Sequence, residues 1–301
     1  EHNSIVSVAP VYEPVLYLFS ISKVYQNLPR RYGLITSTAN PIVQQVRRLN
    51  AKRKERMEKR SYVAEGVRLL EEIWDAKHNI RQVYYSEPLS ERSGALLKEL
   101  KNAGVAVEEV SESVLKAMSD TETPQGILAI VEMIDAVLPA SPQLILILDG
   151  IHDPGNLGTI LRTAVAAGVE LVFLAPNCAD LYNPKVIRSA MGNHCRIPIR
   201  QVEWQQIEHY CASQQDLRIY AAAMENGISL WEADLRGPAA LIIGSEAEGI
   251  SIEAQQLAVK KIFIPMAPEV ESLNAAVAAG ILMYEVVRQR TEMGRKRGTG
   301  E

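Results

Sequence analysis

The sequence predicts an α/β protein in which a smaller α/β region precedes a larger one built on a mostly parallel sheet. Three observations carry this. LILIL at 144–148 is an uninterrupted apolar run, the pattern of a strand buried on both faces of a parallel sheet. Short strand-like runs alternate with helical stretches on both sides of it. Between the two regions AVLPASPQ, 136–143, holds two prolines and small residues and reads as a linker.

Taken in order, residues 1–40 predict no defined element. Their apolar part has prolines at 10, 14 and 29 and no basic run before it, so it is expected to be a weakly ordered extension and not a signal peptide. From Pro41 to Arg60 the chain turns basic. Arg47, Arg48, Lys52, Arg53, Lys54, Arg56, Lys59 and Arg60 stand against Glu55 and Glu58. The stretch lacks Gly and has no Pro after Pro41, and Ile42, Val46 and Leu49 recur at i, i+4 and i+7, which predicts one helix. Strands are then expected at 62–64, 82–85, 105–107 and 127–132, and helices at 67–76, 90–103 and 111–118, so that 41–135 is one small domain. The region 144–290 should add strands at 171–174, 196–199, 218–222, 240–243 and 261–264, with helices between most of them. Residues 291–301 form a basic tail.

Bulk composition narrows the function only a little. Of 301 residues, 47% are hydrophobic and 23% charged, as in ordinary globular proteins. The net charge of -4 gives no global sign of nucleic acid, so a nucleic-acid case rests on local clustering. The basic stretch is either a solvated helical face or a contact to phosphates through Arg47, Arg48, Lys52, Arg53, Lys54 and Arg56. Cys178, Cys195 and Cys211 form no CxxC pair, and the five histidines are scattered; this suggests a reducing, cytoplasmic setting and no metal site. No apolar run reaches the roughly 18 residues of a membrane span.

Three loops hold the chemistry. DGIHDPGNLGTILRTAVAAG, 149–168, follows the LILIL strand; its glycines predict a turn, with helix from Thr159 to Ala167. Such a turn offers free N–H groups to an anion, but its spacing is not the GxGxxG of a dinucleotide site. Arg162 stands in an otherwise apolar helix, where ligand contact is the commoner use of an arginine. LIIGSEAEGIS, 241–251, is a second strand running into glycine, with Ser251 placed to cap a helix. In IPMAPEVESLNAAVAAGILMYEVV, 264–287, Pro265 and Pro268 hold an extended loop and Ser272 can cap a helix starting near Leu273. The Ala and Gly density of that helix suggests a tight contact between elements or subunits.

In this order, GNLGTILRTA, GSEAEG and IPMAPEVESLNAAVAAG resemble the three motifs of the SpoU-type RNA ribose 2′-O-methyltransferases of the SPOUT superfamily. Residues 41–135, with SYVAEG and TPQGILAIV, look like the RNA substrate-binding domain that many members carry in front. The resemblance implies a trefoil-knotted domain, S-adenosyl-L-methionine as cofactor, an RNA substrate and a homodimer with shared sites. It places the cofactor around Gly244, Ile264 and Leu273, with Gly249 and Met266 beside them. Asn156, Arg162, Glu246, Ser272 and Asn274 become the catalytic set, with Glu248 on a variable position. Arg162 would act as a cation that acidifies the ribose hydroxyl, or as a base activated by a substrate phosphate. The methyl donor already carries a sulfonium charge, so no metal is needed. The separate basic domain suits ribosomal RNA better than tRNA. A non-catalytic RNA-binding module should lack Arg162 or Asn274, and a dehydrogenase should carry GxGxxG; neither holds.

Overall fold

The computed structural model describes residues 34–223, 227–245 and 248–298, with side chains to 292. Its first element is not the single helix expected over 41–60. Helix α1 (Pro41–Ala51) and helix α2 (Arg53–Lys59) are separated by Lys52, whose backbone is extended at φ -123° and ψ 117°. The break has a tertiary cause. The Arg56 guanidinium turns back and donates through Nη1 to the carbonyls of Leu49 (2.6 Å) and Asn50 (2.9 Å), satisfying acceptors that the end of α1 leaves open.

A four-stranded sheet follows, in the order β1-β4-β2-β3, from β1 (Ser61–Glu65), β2 (Ile80–Tyr85), β3 (Ala106–Glu109) and β4 (Ile127–Glu132). Alternation along these strands divides the apolar residues between two faces. Tyr62, Ala64, Val83, Ala129 and Val131 pack on α3 (Val67–Asp75) and α4 (Glu91–Asn102). Val63, Tyr84, Leu128 and Ile130 pack on α1 and α5 (Glu112–Met118).

The second sheet has seven strands, β7-β6-β5-β10-β8-β11-β9, and every pair is parallel. They are β5 (Leu144–Leu148), β6 (Leu171–Leu174), β7 (Ile199–Gln201), β8 (Arg218–Ala222), β9 (Ile228–Ser229), β10 (Ala239–Ile243) and β11 (Lys260–Phe263). All five residues of LILIL are buried. Leu144, Leu146 and Leu148 face α6 (Pro154–Ala166), α7 (Pro184–Ala190) and α10 (Ala275–Gly298). Ile145 and Ile147 face α8 (Trp204–Ala212) and α9 (Ile252–Leu257). The β7 strand starts later than the expected 196–199 because Asn193–Cys195 form a 3-10 turn.

Both sheets lie in one compact unit, Leu34–Glu301, and they share a core. Ile187 of α7 is buried in the cluster formed by α3, α4 and the four-stranded sheet, where Tyr182 and Cys195 also pack. Arg196 pairs with Glu72, and Arg188 with Asp120 at 2.9 Å. The Tyr62 hydroxyl and His194 Nε2 lie 3.1 Å apart. A cavity of about 350 Å³ opens at this junction, lined by His78, Ile134, Tyr182, His194 and Cys195 among others. Burial holds the His194 imidazole neutral, pushing its pKa down to about 3.

Candidate active site

Because the large sheet is parallel, the segments after β5, β10 and β11 all leave from one rim, and β10 sits between β5 and β8 where the strand order reverses. In parallel α/β sheets ligands bind at such a place.

The first segment is not the glycine turn expected from its sequence. Asp153 is the N-cap of α6, accepting from the Asn156 amide at 2.8 Å, and Pro154 occupies the first turn. Gly155, Asn156 and Gly158 are therefore helical. Gly158 is where α6 meets α7: a Cβ there would stand 2.4 Å from Ser189 Cβ and 2.8 Å from both Ala190 N and Val186 O. The Asn156 amide bond lowers the Asp153 pKa, with Lys185 of α7 at 3.5 Å adding to it.

The second segment closes on itself. Ser245 and Gly249 exchange backbone hydrogen bonds at 3.0 Å in each direction, and Gly249 takes the left-handed φ of +69° that suits glycine. Gly244 must lack a side chain, since a Cβ would fall 2.2 Å from the Gly249 carbonyl oxygen. Asp149, at the end of β5, pins this loop by accepting from the Ser251 amide at 2.6 Å, although burial raises its pKa. Ser251 caps α9, accepting from the Ala254 amide at 3.2 Å. Glu246 lies outside the described residues.

In the third segment the helix begins at Ala275, two residues later than expected, and Ser272 is not its cap. Asn274 is: its Oδ1 accepts from the amides of Ala276 (3.0 Å) and Val277 (3.3 Å). Its Nδ2 donates to Asn156 Oδ1 at 3.0 Å, which joins the first and third segments. Arg162 stands on α6 six residues after Asn156, about 9 Å along the axis and about 120° around it. Among the described residues no carboxylate pairs with its guanidinium, and the side chain is exposed. Ser272 is exposed. Ile264 and Leu273 are half-buried, and Met266 lies at the surface.

The Ala/Gly-rich side of α10 packs inside the chain. Ala275, Ala276, Ala279, Leu282, Met283 and Val286 enter the core of the large sheet, and Gly280 faces Thr163 of α6. The basic stretch also needs a correction. Arg47, Arg48, Lys52, Arg53 and Lys54 are exposed, but Arg56 is 3% exposed, and a guanidinium so placed does not reach a phosphate. Asp149 and Gly158 carry more of the site than their sequence suggested. The only signals were a carboxylate ending an apolar strand and a glycine inside a helical run.

The SpoU rRNA methylase family model matches residues 143–284, and an MRM3-like substrate-binding domain model matches 40–129. An uncharacterized tRNA/rRNA methyltransferase of Synechocystis is 36% identical, over 85% of this chain and 94% of that protein. The chain belongs to the SpoU rRNA methylase family. A second relative, the Bacillus subtilis 23S rRNA (guanosine(2553)-2′-O)-methyltransferase RlmP, is 32% identical over 84% of this chain and 98% of its own. Among solved structures, an RNA 2′-O ribose methyltransferase superposes with a TM-score of 0.73 at 34% identity, covering 86% of this chain and all of that one. The SpoU methyltransferase AviRb of Streptomyces viridochromogenes, solved with AdoMet, gives 0.75 at 27% identity over 84% of this chain and all of its own.

Proposed function

We propose that this SpoU-family protein methylates a ribose 2′-hydroxyl of ribosomal RNA, using S-adenosyl-L-methionine. Family membership supports the reaction. The observation within the chain that carries the site is the Asn156–Asn274 hydrogen bond, which joins two loops on the rim where the third also emerges.

The residues present fit the cofactor. Gly249 has open space where a Cβ would be, and Gly244 keeps the loop narrow. Half-buried Ile264 and Leu273, with Met266 at the surface, offer the apolar walls that an adenine and a methionine chain need. When bound, the cofactor supplies an electrophilic methyl group. Asn156, Ser272 and Asn274 orient the ribose or the Arg162 side chain by hydrogen bonds, and Glu246 is the remaining member of the catalytic set. Arg162 offers its positive charge to the hydroxyl, easing loss of a proton that neutral water would not remove. Positioning supplies much of the rate.

The same reading divides labour along the chain. The domain 41–135 holds RNA through Arg47, Arg48, Lys52, Arg53 and Lys54, and the domain 144–290, its chain threaded as a trefoil knot, performs the reaction. Two copies associate in the cytoplasm through the outer face of α10, where Val277 and Tyr284 are half exposed. Because Arg162 and Asn156 lie on different sides of α6, a site shared between copies accommodates both.

The test is transfer of labelled methyl from S-adenosyl-L-methionine to ribosomal RNA and tRNA pools, with mapping of the modified nucleotide. Arg162→Ala should abolish transfer while cofactor affinity stays within a few-fold. Near-normal turnover in that variant would remove Arg162 from the chemistry.

A further inference from the structure

Burial of Arg56 leaves the question of what a cation is doing inside the protein. Its Nε and Nη2 donate to Asp180 Oδ2 at 3.0 and 2.5 Å, while Nη1 holds the last carbonyls of α1. Asp180 is equally committed, since its Oδ1 accepts from the Tyr182 amide at 3.1 Å. The two side chains are 4% and 10% exposed.

The position of Asp180 matters. It lies in the segment between β6 and α7, which leaves the large sheet from the same rim as the three loops. Close by, Arg53 Nη2 donates to Gln201 Oε1 at 3.2 Å, at the last residue of β7. Helix α2 is thereby laid along the rim. The bond that breaks the basic helix at Lys52 and the bond that ties α2 to the rim come from one guanidinium. Replacing a buried ion pair by apolar residues is commonly neutral or stabilising, so fold stability alone does not account for this one.

We infer that Arg56 and Asp180 are positioning residues that hold Lys52, Arg53 and Lys54 on the catalytic rim, so that RNA bound there meets the three loops. This rests on the reading of those three residues as phosphate contacts.

The test compares Asp180→Asn, the double variant Arg56→Met/Asp180→Leu and the triple variant Lys52→Ala/Arg53→Ala/Lys54→Ala with wild type. Each is assayed with ribosomal RNA for methylation kinetics, for the salt dependence of RNA binding and for S-adenosyl-L-methionine stoichiometry. Each phosphate that the protein no longer neutralises should remove about 0.7–0.9 from the slope of log affinity against log salt, and the KM for RNA should rise roughly tenfold or more. Cofactor stoichiometry should stay at the wild-type value. The double variant leaves no charge unpaired, so it should fold even where Asp180→Asn does not, and should still show the raised KM and flattened slope. A purely structural role would lower the active fraction and leave RNA KM and slope untouched. A wild-type slope and KM in the double variant overturns the inference. A wild-type slope in the triple variant removes the RNA reading itself, and with it the positioning role of Arg56 and Asp180.

Discussion

Replacing Gly158 by alanine tests the junction between α6 and α7. The added Cβ would meet Ser189 Cβ at 2.4 Å and two backbone atoms of α7, Ala190 N and Val186 O, at 2.8 Å. Carbon–carbon contacts settle at about 3.5–4.0 Å, so α6 and α7 must part by roughly 1 Å. Overpacking of this kind costs about 1–3 kcal/mol, and backbone atoms cannot rotate away, which places the change near the top of that range. For a chain of this size about 3 kcal/mol lowers the Tm by about 5 °C. Gly94, inside α4, is the control, because nothing lies within 4 Å of its Cβ position. Alanine there should stabilise by about 0.5–1 kcal/mol. Thermal unfolding followed by circular dichroism measures both. A Gly158→Ala protein melting within about 1 °C of wild type would refute the packing argument. The same variant should lose methyl transfer, because Asn156 and Arg162 move with α6.

Asn274→Ala removes both the α10 cap and the bond to Asn156, so it should cost about 1 kcal/mol in stability. Initial methylation rates should fall far more than that loss accounts for, and a rate tracking only the fall in Tm would make Asn274 a mere cap. Neutralising Lys52, Arg53 and Lys54 together should flatten the salt dependence of RNA binding by about 2–3 in log–log slope; filter-binding titrations from low to high salt decide it. His194 is held neutral with a folded pKa of about 3 against 6.5 unfolded, so its contribution is complete above pH 6.5 and is lost as pH falls toward 3. At pH 5 that loss is about 2 kcal/mol. Urea unfolding at pH 7 and pH 5 should show a smaller difference for His194→Gln than for wild type, and equal differences would exclude the buried imidazole as the cause. Light scattering at micromolar concentration should give about twice the chain mass of 33.3 kDa, and an active monomer would exclude a shared site.

The parallel sheet was legible because burial on both faces leaves an apolar run such as LILIL that no half-exposed strand carries. Caps were legible where a short polar residue precedes a helix by the right interval, as at Ser251. The first loop misled because glycines outweighed a better signal, Asp153 followed by Pro154, which marks a helix start. Asn274 and Ser272 compete for one cap, and local sequence does not choose between two good caps. The break at Lys52 was not legible at all. Its cause is a guanidinium bound to a carboxylate 124 residues away, and helical periodicity carries no trace of that. The strand Ile228–Ser229 is too short to leave a pattern.

The burial of Ile187 among the residues of α3, α4 and the four-stranded sheet sets a timetable for synthesis. The last strand of that sheet ends at Glu132, but the residues that seal its core, Tyr182, Ile187 and Cys195, leave the ribosome roughly 50–60 residues later. At about 5–20 residues per second the nascent sheet waits several seconds with Tyr62 and Leu69 uncovered. Transplanting the segment 41–135 onto another protein would carry the same exposed face with it, unless 182–195 travelled too.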